Sequence, residues 1–217
     1  MDTKVKICGL TRPQDVEAAI AYGADYLGFI VEAKSARKLS AAQAAKLSLP
    51  AKGVAKAVAV TVNADDNVIQ AIAELMQPDY IQLHGDESPE RAAKVTKRFG
   101  LKTIKAIGVS TPTDMMKAET YAGAVDFMLY DAKPPKGETV RGGHGISFDW
   151  TILQNAPLPK LWALAGGLTP ENAAEAIRRT NAPILDVSSG VEASAGIKDA
   201  QKIEAFMKAA KGNYYNG

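Results

Sequence analysis

Few residues in this chain stand where they could do chemistry. The only cysteine among 217 residues, Cys8, closes an apolar run, Val5-Lys6-Ile7-Cys8, and the chain then opens into Gly9-Leu10-Thr11-Arg12-Pro13. A thiolate is a good base and nucleophile. A thiol with a reference pKa of about 8.5 is only a few per cent ionised at neutral pH, so catalysis at Cys8 requires surroundings that polarise it. A small buried hydrophobe is the other reading. Asp131 closes a second run, Phe127-Met128-Leu129-Tyr130, either as a solvated loop-starter or as a carboxyl tuned by a half-buried setting. His84 closes a third, ahead of Gly85-Asp86-Glu87, and Ser35-Ala36-Arg37 follows a fourth. Two stretches, Ala165-Gly166-Gly167-Leu168-Thr169-Pro170 and Asp186-Val187-Ser188-Ser189-Gly190-Val191-Glu192, could bring backbone N–H groups around an anion, or could simply supply turns.

These residues share a position, because each ends or follows an apolar, strand-like run. The runs are Val5 to Cys8, Tyr26 to Val31, Ala57 to Val62, Tyr80 to His84, Thr103 to Ile107, Val125 to Tyr130, Leu161 to Ala165 and Ile184 to Val187. They alternate with helical stretches opening near Arg12, Ser40, Ala64, Ser88, Thr111, Ser147, Thr169 and Ile197. Ser88-Pro89-Glu90-Arg91 and Thr169-Pro170-Glu171-Asn172 each join a cap to a first-turn proline and an acid. Thr11 stands where it could cap the first helix, ahead of Pro13, Asp15 and Glu17.

Several runs are apolar on successive residues, as strands covered on both faces are. Eight consecutive βα units predict an α/β chain folded as a single (β/α)8 TIM barrel over residues 1–217, with 212–217 a loose tail. Periodicity alone leaves an open doubly wound sheet as the alternative. In a barrel the residues above converge on one mouth, where the loops after the last two strands often hold phosphate.

Composition narrows the class. Apolar residues at 47% and charged residues at 23% match an ordinary globular protein, so a packed core is expected. Lys plus Arg number 26 against 24 Asp plus Glu, with no long block of either sign, which points away from nucleic acid and from a membrane surface. One cysteine forms no internal disulfide, and with His84 and His144 it makes no zinc spacing, so no metal is expected. A strand near residue 5 leaves no room for a secretory apolar segment, and no run approaches the ~20 apolar residues of a membrane span. A cytoplasmic setting and a monomer are expected.

Lys6-Ile7-Cys8-Gly9-Leu10-Thr11, Gln82-Leu83-His84-Gly85-Asp86-Glu87, Leu164-Ala165-Gly166-Gly167-Leu168 and the Asp186 to Glu192 stretch closely resemble the motifs of the phosphoribosylanthranilate isomerase family. The resemblance extends from the first run to Lys198-Asp199. It implies an Amadori rearrangement in tryptophan biosynthesis, carried out on a phosphorylated small molecule without metal or organic cofactor. Cys8 then matches the general base and Asp131 the general acid, which requires the Cys8 pKa to move down and that of Asp131 to move up. Arg37 matches the arginine that meets the anthranilate carboxylate, with an exposed loop charge as the other reading. Gly166, Gly167, Ser189 and Gly190 are expected at the phosphate, joined by Gly143 and Gly145 from a glycine-rich stretch that could cover the mouth. His84 is expected to support by hydrogen bonding rather than transfer a proton. Two departures stand out: Ser35-Ala36-Arg37 lacks the family's proline, which would free the loop, and Thr61 occupies a position where an aromatic residue is common. The alternatives are a sister barrel isomerase, disfavoured because Cys8 replaces its first aspartate and Ile107-Gly108 lacks the second, and a non-catalytic barrel binding a phosphorylated metabolite.

Overall fold

A computed structural model describes residues 3–133, 148–154 and 156–212. Eight parallel strands close into a barrel in chain order. They are β1 (Lys4–Cys8), β2 (Tyr26–Glu32), β3 (Lys56–Thr61), β4 (Tyr80–Leu83), β5 (Lys102–Val109), β6 (Phe127–Ala132), β7 (Trp162–Leu164) and β8 (Ile184–Val187), with β8 pairing back onto β1. The open-sheet alternative is thereby excluded. Between the strands run α1 (Pro13–Ala21), α2 (Ala41–Ser48), α3 (Asp66–Ala71), α4 (Pro89–Phe99), α5 (Pro112–Glu119), α6 (Thr151–Gln154) and α7 (Ala173–Thr180). A short antiparallel pair, β9 (Glu192–Ser194) and β10 (Ile197–Lys198), precedes α8 (Ala200–Lys211).

The boundaries have local causes. Ser40 caps α2 in a reciprocal capping box with Gln43, and the Ser88 hydroxyl accepts from the Arg91 N–H at the start of α4. One expected cap and two expected helix starts are corrected. Thr11 does not cap α1; its hydroxyl donates instead to the Gly196 carbonyl at 2.6 Å. The stretch from Thr169 makes a turn first, because the Asn172 side chain accepts from Thr169 N and donates to Gly167 O, and α7 begins at Ala173. Ile197 belongs to a strand, and α8 begins after Asp199, whose carboxylate takes the N–H groups of Gln201 and Lys202. The expected start at Ser147 lies outside the described residues, as does the tail from 213.

Strand entry is fixed by a recurring device. Asp25, Asp79 and Asp126 each directly precede an aromatic residue opening an even-numbered strand, and each carboxylate accepts the N–H of Val5, Ala57 or Thr103 in the preceding odd strand at 2.7–2.9 Å. Such bonds pin register at the end of the barrel opposite the mouth.

Strand alternation then decides what faces inward. Val5, Ile7, Ala57, Ala59, Leu83, Met128, Tyr130 and Leu185 face the helices within the main core. Tyr26, Val58, Val60, Ile104, Ala106, Phe127, Leu129, Ala163, Ala165 and Ile184 fill the barrel. At its floor Tyr26, Tyr80 and Phe127 pack edge to face, with centroids 5.5–6.3 Å apart. Each fully buried aliphatic side chain contributes roughly 1.5–3 kcal/mol, so these two shells hold the strand ends in place. Thr61 shares the outward parity of Ala57 and Ala59, is fully buried, and donates to the Gln82 carbonyl. Its departure from the aromatic norm therefore reshapes the packing between barrel and helices, not a wall of the mouth.

Candidate active site

The inward parity that stacks apolar residues at the floor delivers polar ones higher up. On β1 the inward residues are Lys6 and Cys8, on β8 Asp186, on β4 Gln82 with His84 just beyond, and on β6 Asp131. All but His84 are buried. Asp131 lies within β6 rather than after it, pairing with Gly108 of β5.

Cys8 is 7% exposed. Its sulfur lies beside Gly28 of β2, where a Cβ would stand only 2.8 Å from Sγ. Gly9 follows with φ +77, turning the chain out of the strand, and the N–H groups of Gly9 and Leu10 both donate to the Gly28 carbonyl. Burial pushes the Cys8 thiol up; the Lys6 ammonium pulls it down and the Asp186 carboxylate raises it again, with the net above its ordinary value. The expected downward displacement is thus corrected: a thiol shut off from water loses more from desolvating its anion than one shared cation returns.

Asp131 faces His84, with Nε2 3.3 Å from Oδ2. The other ring nitrogen of His84 lies 2.7 Å from Nε2 of Gln82, while Oε1 of that amide is buried with no partner among the described residues. His84 therefore bridges Gln82 and Asp131. Gly166, with φ +89, runs so close to β6 that a Cβ there would stand 2.5 Å from the Ala132 nitrogen and 3.0 Å from Oδ1 of Asp131.

Arg37 is not an exposed loop charge. Its Nε and Nη2 donate to the two oxygens of Glu192 at 2.7 and 2.6 Å, and its side chain is 12% exposed. The Ser35 hydroxyl accepts from its N–H, and Leu39 N–H donates back to the Ile30 carbonyl. The loop is held despite the missing proline. Glu192 also accepts from Nζ of Lys198, which donates further to the Ser188 carbonyl. Burial works against the Glu192 carboxylate, but Arg37 and Lys198 outweigh it and hold its pKa below its ordinary value.

The two glycine-bearing loops touch: a Cβ on Gly190 would collide with the Leu168 carbonyl. Among the described residues, no acceptor takes the backbone N–H groups of Gly166, Gly167 or Ser189. Gly143 and Gly145 lie outside the described residues. Among those residues, too, no three His, Cys, Asp or Glu side chains cluster as a metal site, and no helix is long and apolar enough to cross a membrane.

Sequence reasoning passed over Lys6, Gly28, Gln82, Glu192 and Lys198. The available signal was a lysine inside an otherwise apolar strand run, in step with Cys8, since a charge there must find a partner.

The model of the family described as N-(5'phosphoribosyl)anthranilate (PRA) isomerase matches residues 5–209. The chain belongs to the phosphoribosylanthranilate isomerase family. A relative named N-(5'-phosphoribosyl)anthranilate isomerase from Cereibacter sphaeroides is 50% identical over 209 residues, covering 96% of this chain and 98% of that one. Among solved phosphoribosylanthranilate isomerases, that of Thermotoga maritima superposes with a TM-score of 0.87 at 38% identity, covering 97% of this chain and 99% of that one. One solved in complex with reduced 1-(o-carboxyphenylamino)-1-deoxyribulose 5-phosphate superposes at 0.83 with 35% identity, with the same coverage of both chains. Family membership thus extends over nearly the whole barrel.

Proposed function

We propose that this protein isomerises N-(5'-phosphoribosyl)anthranilate to 1-(2-carboxyphenylamino)-1-deoxyribulose 5-phosphate in tryptophan biosynthesis, with Asp131 as general acid and Cys8 as general base. The observation that carries the reading is that these two groups, one from β1 and one from β6, both stand on inward positions at the C-terminal ends of their strands, at the mouth of a barrel of this family.

Protonated Asp131 donates to the furanose ring oxygen as the C1' bond to that oxygen breaks and the anthranilate nitrogen supplies electrons, leaving a Schiff base at C1'. Thiolate Cys8 removes the C2' proton, and those electrons pass through C1' to the nitrogen, giving an enolamine. Moving the C2' hydroxyl proton to C1' completes the ketone. Only protons change hands, so the reaction calls for no redox cofactor. Arg37 presents its remaining guanidinium edge to the anthranilate carboxylate, while Glu192 holds the opposite edge. Gly166, Gly167, Ser189 and Gly190 hold the phosphate through N–H groups that the protein leaves unengaged or close at hand, with Gly143 and Gly145 completing that site. A free-thiol base suits a reducing, cytoplasmic setting.

The test is steady-state turnover of freshly generated phosphoribosylanthranilate, followed by fluorescence without added metal. Cys8→Ser and Asp131→Asn are each expected to lose at least the ~10²-fold typical of a missing acid or base. Full activity in either variant overturns its assignment.

A further inference from the structure

Lys6 is among the largest fully buried side chains of the described residues, 1% exposed inside the barrel, in a strand whose neighbours are apolar. Its Nζ lies 2.9 Å from each carboxylate oxygen of Asp186. A buried ion pair is a poor way to stabilise a core, since apolar residues of similar size often do as well or better. Its location suggests another use. The point where a Gly28 Cβ would stand is 2.8 Å from Sγ of Cys8 and 3.2 Å from Nζ of Lys6, so thiol and ammonium flank one gap that no side chain fills.

We propose that Lys6 is a positioning residue for the reaction, its ammonium held in place by Asp186 so that the buried Cys8 sulfur can exist as a thiolate next to a fixed positive charge. The proposal rests on the reading of Cys8 as base. Asp186 serves two ends here. It stops the lysine from rotating away, and together with Cys8 it keeps Lys6 protonated against the cost of burial. Other charged groups face the same space: Arg37 beyond β2, His84 beyond β4, Asp131 on β6, and Glu192 and Lys198 beyond β8. Glu192 takes up the charge of both Arg37 and Lys198, and the sulfur feels Lys6 more strongly than it feels Lys198. Lys6 is the cation that shares the sulfur's own strand and its own gap.

Because Cys8 is the only cysteine, thiolate absorbance and the iodoacetamide alkylation rate against pH report it alone. The experiment compares wild type, Lys6→Met and Lys6→Met/Asp186→Asn; the double variant leaves no unpaired buried charge. Lys6→Met should titrate at higher pH, with thiolate at pH 7 reduced at least about tenfold, one pKa unit or more, and the double variant should move in the same direction by less, because it also loses the Asp186 carboxylate that raises the thiol. kcat should fall in parallel and its alkaline-going limb should move with the thiol, while KM stays within about twofold. An unmoved thiol titration in the folded double variant overturns the proposal, and a collapse of activity in Cys8→Ser would then still support Cys8 as base. If the titration moves but Cys8→Ser turns over at the wild-type rate, the base assignment fails and the catalytic role of Lys6 fails with it.

Discussion

Replacing Gly28 with alanine tests whether the strand geometry around Cys8 sets the activity. Gly28 has no positive φ, so alanine adopts its backbone without conformational strain, and the substitution is steric alone. The new Cβ would stand 2.8 Å from Sγ of Cys8, 3.1 Å from Cα of Cys8 and 3.2 Å from Nζ of Lys6. Carbon and sulfur rest comfortably at about 3.5–4.0 Å, so the sulfur must retreat by about 1 Å or β1 must shift. Overpacking of this kind costs about 1–3 kcal/mol, and alanine recovers about 0.5–1 kcal/mol of it by being stiffer than glycine in a strand. The net loss of stability is therefore small. A misplacement of about 1 Å at a reacting group, by contrast, can cost roughly 10²-fold in rate. Urea denaturation should show Gly28→Ala folded and within about 2 kcal/mol of wild type, while kcat/KM for phosphoribosylanthranilate falls by about two orders of magnitude. A kcat/KM within about threefold of wild type would refute the reasoning, since the thiol would then tolerate displacement that no acid–base geometry should tolerate.

Three further outcomes follow from the ion pairs and the close turns. Glu192→Gln leaves Arg37 and Lys198 without their shared anion. It should cost about 3 kcal/mol at pH 7, the low end for breaking a buried pair, and raise KM about tenfold with a smaller change in kcat. Because the folded-state pKa of Glu192 is depressed, its contribution is present above the unfolded carboxyl value of about 4.3 and fades as pH falls through the lower folded value. Wild-type and variant stabilities should accordingly converge in urea melts as pH falls below that folded value; a gap that persists once the carboxyl is protonated contradicts the assignment. Lys105→Met strips a buried cation from the carbonyls of Leu83 and Gly85 and from Glu87 on the helix side of the barrel. It should lower stability by about 3–5 kcal/mol while leaving KM of the folded fraction unchanged. Gly166→Ala, at φ +89 and pressed against Ala132 and Asp131, should lower kcat more than tenfold, and measured activity at the wild-type level would show that β7 can yield there.

The barrel was legible because each strand announces itself as an apolar run and each run ends in a residue or turn that cannot continue it. Cys8, His84 and Asp131 could be placed at one mouth because each ends an apolar run in an expected barrel, and the structure brings His84 and Asp131 to 3.3 Å. What the chain order could not reveal was pairing across it. The Arg37–Glu192 and Lys6–Asp186 contacts join residues 155 and 180 positions apart, and nothing local in either segment specifies the partner. The direction of the Cys8 pKa failed for the same reason: it depends on the balance of burial against Lys6 and Asp186, which only three-dimensional packing sets. The helix starts at Thr169 and Ile197 failed because a side chain, Asn172, and a strand partner, Ser194, satisfied backbone groups that a helix would otherwise claim.

The two ends of the barrel explain each other. The floor is closed by the aromatic side chains of Tyr26, Tyr80 and Phe127 and pinned by the aspartates that precede them. Water therefore reaches the interior from the mouth, and any charge lower down must be paired within the protein. Lys6 and Asp186 occupy that intermediate depth, one inward step below Cys8 on β1 and one inward step above Ile184 on β8. Moved a layer lower, the pair would be a desolvation cost without a use; a layer higher, it would be screened by solvent and by the substrate's own charges. At its actual depth it acts on the sulfur through a medium of low dielectric, where a fixed cation carries its greatest effect.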